Sequence, residues 1–223
     1  MNNNLKNIFT KVYDNKEWGY NWEGELTYSG PGSTKKYTEN LRSELPKVYE
    51  KFNIKSVFDA PCGDLHWMNL VIDNCSDVKY IGGDIVKSLV DTNIQKYGKV
   101  NVDFVELDIT TDTLPNVDLM ICRDCLFHFP IEEIFKFLRN FIKSDIKYLL
   151  TTGYPTGDNR NIPVGGWFNI DLRLPPFNFS KDYLYEIEDW IPGELFPVRY
   201  MYMWDRDQIK TALISSYLNQ FIT

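Results

Sequence analysis

The sequence predicts an α/β protein built on a mostly parallel sheet with helices on both faces, and three observations carry that prediction. Short apolar runs alternate with helical patterns between about residues 56 and 152. Two of those runs, residues 56–59 (SVFD) and 80–84 (YIGGD), each close on an aspartate. The first then turns through small residues, Ala60-Pro61-Cys62-Gly63. Alternation of this kind argues for parallel strands, because each crossover helix returns the chain to the same end of the sheet.

Residues 1–34 read as an N-terminal extension with Trp18, Tyr20, Trp22 and Tyr28, able to cover a site or to pack a core. A loop, SGPGS at 29–33, follows. Residues 35–52 have helical spacing, with Leu41, Leu45, Val48 and Tyr49 on one stripe, and Pro46 is expected to kink or split that helix. Strand one is 56–59, a helix spans 67–75, and strand two is 80–84. Residues 85–97 read as a helix, 102–107 as strand three and 119–123 as strand four. Pro130 suits the first position of a helix whose buried face is Ile131, Ile134, Phe135, Leu138, Phe141 and Ile142. Strand five is 148–152. A loop rich in Pro, Gly and Asn then runs over 153–179, a length that usually carries function. Residues 184–189 and 199–203 read as an antiparallel strand pair, and 205–217 as a closing helix.

A chain of 223 residues suits one domain, 1–223, with a full core. No apolar stretch is long enough to span a membrane, and residues 1–11 lack the apolar core of a signal peptide, so a cytoplasmic setting is the expectation. Net charge is −7 and the lysines are scattered, which disfavours nucleic-acid substrates: their affinity comes from clustered cations on phosphate. Cys122 and Cys125 have the spacing of a metal or redox pair. A second pair of ligands is missing, so no metal is expected, and the four cysteines read as buried thiols.

Asp59, Asp84 and Asp108 each close a strand, and Asp84 lies 25 residues beyond Asp59. A carboxylate at the end of the second strand is placed to accept both hydroxyls of a ribose. Asp108 is placed to receive an adenine amino group, and each aspartate alone also suits a cap or turn. The dinucleotide fingerprint GxGxxG is absent, which weakens a nicotinamide or flavin reading. The Asp59-x-x-x-Gly63 turn is closer to the version that binds S-adenosylmethionine (SAM), although Pro61 and Leu65 stand where glycine is usual.

Strand four runs into Cys122-Arg-Asp-Cys-Leu-Phe-His128. Together with SGPGS, DAPCGD, YIGGDIV, LPNVDLMICRDCLFHFP and YLLTTGYP, this segment resembles a family of bacterial and viral class I SAM-dependent methyltransferases over residues 28–179. The chain departs from the family at Pro61, where Gly is expected, and at Leu41, where the family tends to have Tyr. The resemblance implies a Rossmann-like, seven-stranded, mostly parallel sheet with a C-terminal antiparallel pair, SAM as cofactor, and modification of a small molecule or glycan. The expected cofactor set is Asp59, Ala60, Pro61, Cys62, Gly63, Asp84, Ile85, Asp108, Ile109 and Arg123. Arg123 has two open roles, on the methionine carboxylate or on Asp124.

Asp124 and His128 are the catalytic candidates. Methyl transfer is an in-line displacement, so positioning does much of the work, and a hydroxyl acceptor needs its proton removed. In a helical turn, positions four apart share a face, so Asp124 is expected to hold one imidazole nitrogen while the other meets the acceptor. The alternative is a packed histidine between Phe127 and Phe129. His66 borders the acceptor or stays exposed. In the 153–179 acceptor loop, Trp167 is expected to pack on the acceptor while Arg160 and Asn169 hydrogen-bond it. Leu174-Pro-Pro-Phe177 mimics an amino-methyltransferase motif but follows the wrong strand. O-methylation is the leading reading. N-methylation of a protein or small amine, or a catalytically silent SAM-binding partner subunit, are the alternatives. Oligomeric state is not legible.

Overall fold

The structure, a computed structural model, describes residues 3–22, 24–193 and 197–219. The side chains of Tyr20 and Trp22 lie outside the described part. The chain opens with α1 (Asn3–Asp14), a hairpin of β1 (Tyr20–Trp22) and β2 (Glu25–Thr27), and a short turn of 3₁₀ helix at Pro31–Ser33. There follow α2 (Glu39–Lys51), β3 (Ser56–Asp59), α3 (Met68–Asn74), β4 (Lys79–Asp84), α4 (Lys87–Tyr97), β5 (Val102–Glu106) and β6 (Leu119–Cys122). A second 3₁₀ turn at Leu126–His128 leads to α5 (Ile131–Lys143), β7 (Tyr148–Gly153), β8 (Tyr185–Glu188), β9 (Tyr200–Asp205) and α6 (Arg206–Asn219).

Seven strands form one sheet in the order β5-β4-β3-β6-β7-β9-β8, parallel from β5 through β7 and antiparallel at β7–β9 and β9–β8. This is the expected Rossmann-like sheet with its C-terminal antiparallel pair. β3 pairs with β4 on one side and β6 on the other, Asp59 lying opposite Gly82 and Ile121. The chain therefore winds away from β3 in both directions, and that reversal opens a crevice beyond the strand ends.

Central strands are apolar on both faces because helices cover both. Phe58, Met120, Cys122 and Leu149 point into one core layer with α5, α6 and α1 residues. Their neighbours Val57, Leu119, Ile121 and Leu150 point into the other, with Leu41, Leu45 and Val48 of α2 and Met68 and Val71 of α3. The period of two along each strand sorts the residues. Cys122 and Cys125 are free thiols buried among these apolar groups.

Three differences from the sequence reading concern helices. α2 begins at Glu39, not residue 35, because Thr34 and Thr38 engage the preceding turn: Thr38 Oγ1 donates to the Thr34 carbonyl at 2.9 Å. Pro46 does not split α2, which continues through it. A helix-interior proline costs roughly 3 kcal/mol, offset here by burial of Leu41, Leu45, Val48 and Tyr49 on both sides of it. Pro130 caps α5 from just outside, and Phe137 joins the expected buried face of that helix.

Candidate active site

The crevice at the carboxyl ends of β3, β4 and β6 holds about 940 Å³ of space not filled by protein atoms, its open mouth included. Asp59, Ala60, Pro61, Cys62, Gly63, Asp84, Ile85, Asp108, Ile109, Arg123, Asp124 and His128 all line it. The structure thus brings together every residue expected at the cofactor and every catalytic candidate.

Gly63 has φ +57°, and a Cβ there would stand 2.5 Å from Ser29 Oγ. Its N–H donates to Asp84 Oδ2 at 3.1 Å, and its carbonyl accepts from Asn93 Nδ2 at 2.8 Å. Leu65 takes the same left-handed conformation, φ +57°, which explains why glycine is usual at that position. Its side chain is buried among α2 and α3, so packing holds a backbone that Leu by itself disfavours. Asp64 ties this turn to the 27–29 segment, accepting from Tyr28 N at 2.8 Å and Ser29 Oγ at 3.1 Å.

Asp84 accepts from the Gly63 N–H on Oδ2 and the Val86 N–H on Oδ1 at 3.0 Å, and the Ile85 N–H adds to them. Burial raises its carboxyl to about 6 against those hydrogen bonds. Burial likewise raises Asp59 to about 7, opposed by the Tyr80 hydroxyl that donates to it at 2.7 Å. Asp108 sits two residues past β5, its Oδ1 accepting from Thr110 N at 2.9 Å and Thr110 Oγ1 at 2.7 Å. Asp108 thus makes the contacts of a turn residue and also lines the crevice.

Arg123 is spent largely on protein. Its Nε and Nη2 donate to Asp189, Nη2 also donates to the Gly32 carbonyl at 2.7 Å, and Nη1 lies 3.2 Å from Asp124 Oδ2. The pairing with Asp124 is present, but the dominant partner is Asp189, which the sequence reading did not name. Asp124, at φ +52°, is further held by Arg199 Nη1 at 2.9 Å and by Thr152 Oγ1 at 3.2 Å. Burial pushes the Asp124 carboxyl up, but the Arg123 and Arg199 guanidiniums outweigh it and hold the group below the ordinary carboxylate range.

The expected Asp124–His128 hydrogen bond is not made among the described residues. The 3₁₀ turn at Leu126–His128 replaces the α-turn that would align positions four apart. His128 Nδ1 instead lies 2.7 Å from the Gly166 carbonyl, and Trp18 stacks on the ring at 4.8 Å. Burial lowers the His128 pKa, with the Gly166 hydrogen bond and the Asp124 charge opposing. His66 is not on the crevice; it pairs with Glu25 of β2.

Arg160, Trp167 and Asn169 do not line the crevice. Arg160 is exposed, Trp167 is 46% exposed and meets Tyr154 edge-on, and the loop's apolar residues turn inward: Phe168, Ile170 and Phe177 are fully buried. Asn159 staples the loop instead, accepting from Asp171 N at 3.0 Å and donating to the Asp171 and Pro175 carbonyls at 2.7 and 2.9 Å. The loop reaches the site through its Gly166 carbonyl.

The wall that sequence reasoning missed is α1. Leu5, Phe9 and Tyr13 of this helix, with Trp18 beyond it, line the crevice, and Lys6 is ion-paired with Glu106 of β5. Its signal was present: Leu5, Phe9, Val12 and Tyr13 have helical spacing.

No protein-family model and no curated relative matches the sequence. Solved structures do match by shape. Magnesium protoporphyrin IX methyltransferase (ChlM) of Synechocystis PCC 6803, with bound SAH, superposes with TM-score 0.61 at 15% identity, over 91% of this chain and 99% of that one. PigF with SAH gives 0.60 at 16% identity, over 91% of this chain and 62% of PigF. Human N-acetylserotonin methyltransferase in complex with SAM gives 0.53 at 15%, over 75% of this chain and 53% of the human one. The chain thus spans about half the human chain, about three-fifths of PigF and nearly all of ChlM. These likenesses establish the fold of SAM-dependent methyltransferases.

Proposed function

We propose that this chain is a SAM-dependent methyltransferase that methylates a hydroxyl of a small molecule or glycan. The observation that carries the reading is Asp84. It ends β4 beside the reversal of strand order, lines the crevice, and is a carboxylate seated on the backbone N–H groups of the turns around it. That donor-poor, acceptor-rich group fits the two hydroxyls of a ribose. The Asp59–Gly63 turn would hold the amino-acid end, and Ile85, Leu107 and Ile109 give the adenine an apolar slot with Asp108 at its rim. Bound SAM supplies an electrophilic methyl group.

His128 is the base. A carbonyl only accepts, so the Nδ1–Gly166 contact places the proton on Nδ1 and leaves the lone pair on Nε2. A ring whose pKa is lowered by burial is neutral near pH 7 and able to take the acceptor's proton. Asp124, held ionised by two guanidiniums, acts on the ring through its charge and does not take the proton. The neighbours include the mitomycin 7-O-methyltransferase MmcR, at 14% identity and TM-score 0.54, which supports the oxygen reading by analogy of fold.

Thermal unfolding with and without S-adenosylhomocysteine, on wild type and Asp84→Ala, tests the cofactor. Ligand at 100 times its Kd adds about 2.7 kcal/mol, a rise of about 5–10 °C for a domain of this size. A rise seen in wild type and lost in the variant supports the reading; no rise in wild type removes it.

A further inference from the structure

We infer that Trp18 is a positioning residue: stacked on His128 from the N-terminal segment, it orients the imidazole so that Nε2 is presented to the crevice. The inference rests on the proposed role of His128 as base. The indole and imidazole centroids are 4.8 Å apart with planes 22° from parallel, whereas Phe127 meets the same ring at 60°. The Gly166 carbonyl, 2.7 Å from Nδ1, fixes the proton but acts at one atom of the ring. Rotation about the last torsion of a histidine is otherwise broad and two-fold. The stack supplies the missing restraint by holding the plane. Together the two contacts select one tautomer and one ring orientation.

Asp124 is the charge that acts on His128, yet among the described residues it makes no hydrogen bond to the ring and cannot set that orientation. Trp18 is itself held by Phe9 at 5.9 Å and by Tyr13, edge-on, at 6.0 Å. Both are crevice-lining residues of α1, and Phe9 also meets Phe129. The base is therefore oriented by the same helix that walls the crevice, so seating of α1 and presentation of Nε2 are one event.

The chain has two histidines, so imidazole ¹⁵N and C–H resonances read the site directly, with His66 as internal standard. Wild type is expected to show His128 as the Nδ1–H tautomer with C–H signals displaced by the indole ring current. Trp18→Ala should lose that displacement, move His128 toward the Nε2–H tautomer and raise its midpoint toward the free value of about 6.5. Trp18→Phe, which keeps an aromatic face, should retain the tautomer. A Trp18→Ala protein with the wild-type tautomer and shifts overturns the inference. So does a Trp18→Phe protein that loses the tautomer while His66 is unmoved, since an aromatic face is then not what holds the ring. S-adenosylhomocysteine binding, followed in the same samples, separates the two levels: its absence from wild type overturns the methyltransferase reading, whereas an unmoved His128 in Trp18→Ala overturns only the role of Trp18.

Discussion

Asp189 grips Arg123 at two points, Nε to Oδ2 at 2.9 Å and Nη2 to Oδ1 at 3.0 Å, with the carboxylate fully buried. Arg199 closes the set, reaching Asp124 Oδ1 at 2.9 Å and Asp189 Oδ2 at 3.3 Å. Two guanidiniums and two carboxylates thus alternate in a neutral ring. The ring joins the end of β6 to the two ends of the connection between β8 and β9, and through the Gly32 carbonyl to the N-terminal segment. The end of β6 and the β8–β9 hairpin are in this way one electrostatic unit.

Arg199→Met should destabilise the protein by about 3–5 kcal/mol, since it leaves buried carboxylate charge uncompensated. Asp124→Asn should cost less, because Asp124 is the least buried member, its side chain 21% exposed. Urea denaturation of the two single variants and the double variant checks the ring: additive losses would deny it. The folded pKa of Asp124 is depressed, so its contribution is present above the unfolded value of 3.8 and lost only as pH falls through the lower folded value.

Asp84 and Asp59 have the opposite sign. Their folded values, about 6 and about 7, exceed the unfolded 3.8, so the folded state holds extra protons between those limits. Stability without ligand should fall as pH rises from about 4 to 7, Asp84 contributing on the order of 3 kcal/mol. Asp84→Asn should flatten that slope. Affinity for S-adenosylhomocysteine should run the other way, falling up to tenfold per unit below about pH 6 as protonation uses one lone-pair site. Calorimetric titrations from pH 5 to 8 would reveal a flat profile if Asp84 does not meet the ligand.

His128→Asn should leave S-adenosylhomocysteine affinity within about threefold while lowering methyl transfer to a hydroxyl acceptor by about 10²–10⁴. An amine acceptor needs no strong base, so N-methylation would survive the change nearly intact. The same pair of measurements therefore separates O- from N-methylation. Binding with no turnover on any acceptor in wild type would favour the silent partner subunit.

Gly63→Ala combines two costs, a left-handed backbone of about 1–2 kcal/mol and displacement of Ser29 Oγ from 2.5 Å. Gly30→Ala has φ +88° and ψ 169°, a region that glycine almost alone occupies, and nothing within 4 Å of the added methyl, so its cost is backbone strain without a clash. Gly63→Ala should weaken S-adenosylhomocysteine binding, with Gly30→Ala destabilised but close to wild type in affinity. Unchanged affinity in Gly63→Ala would show that the turn accommodates the methyl.

The sequence by itself determined the sheet and the floor of the site. Alternating apolar runs set the strands, and aspartates at their carboxyl ends necessarily gather at one edge once the strands are parallel, because every strand then ends on the same side. Asp59, Asp84, Asp108, Asp124 and His128 were legible for that reason. Tertiary structure decided which polar group each of these meets. Asp189 and Arg199 come to the β6 end across the antiparallel pair, a contact that no local spacing encodes. Trp18 and the Gly166 carbonyl reach His128 from opposite ends of the chain, and a backbone carbonyl leaves no mark in a residue pattern. The acceptor loop shows the same limit: its composition suggested exposed binding groups, yet burial of Phe168, Ile170 and Phe177 turned it into the core and left Arg160 and Trp167 outside the crevice. Local pattern fixes the direction of a strand; only packing between distant segments selects the partners of a charge.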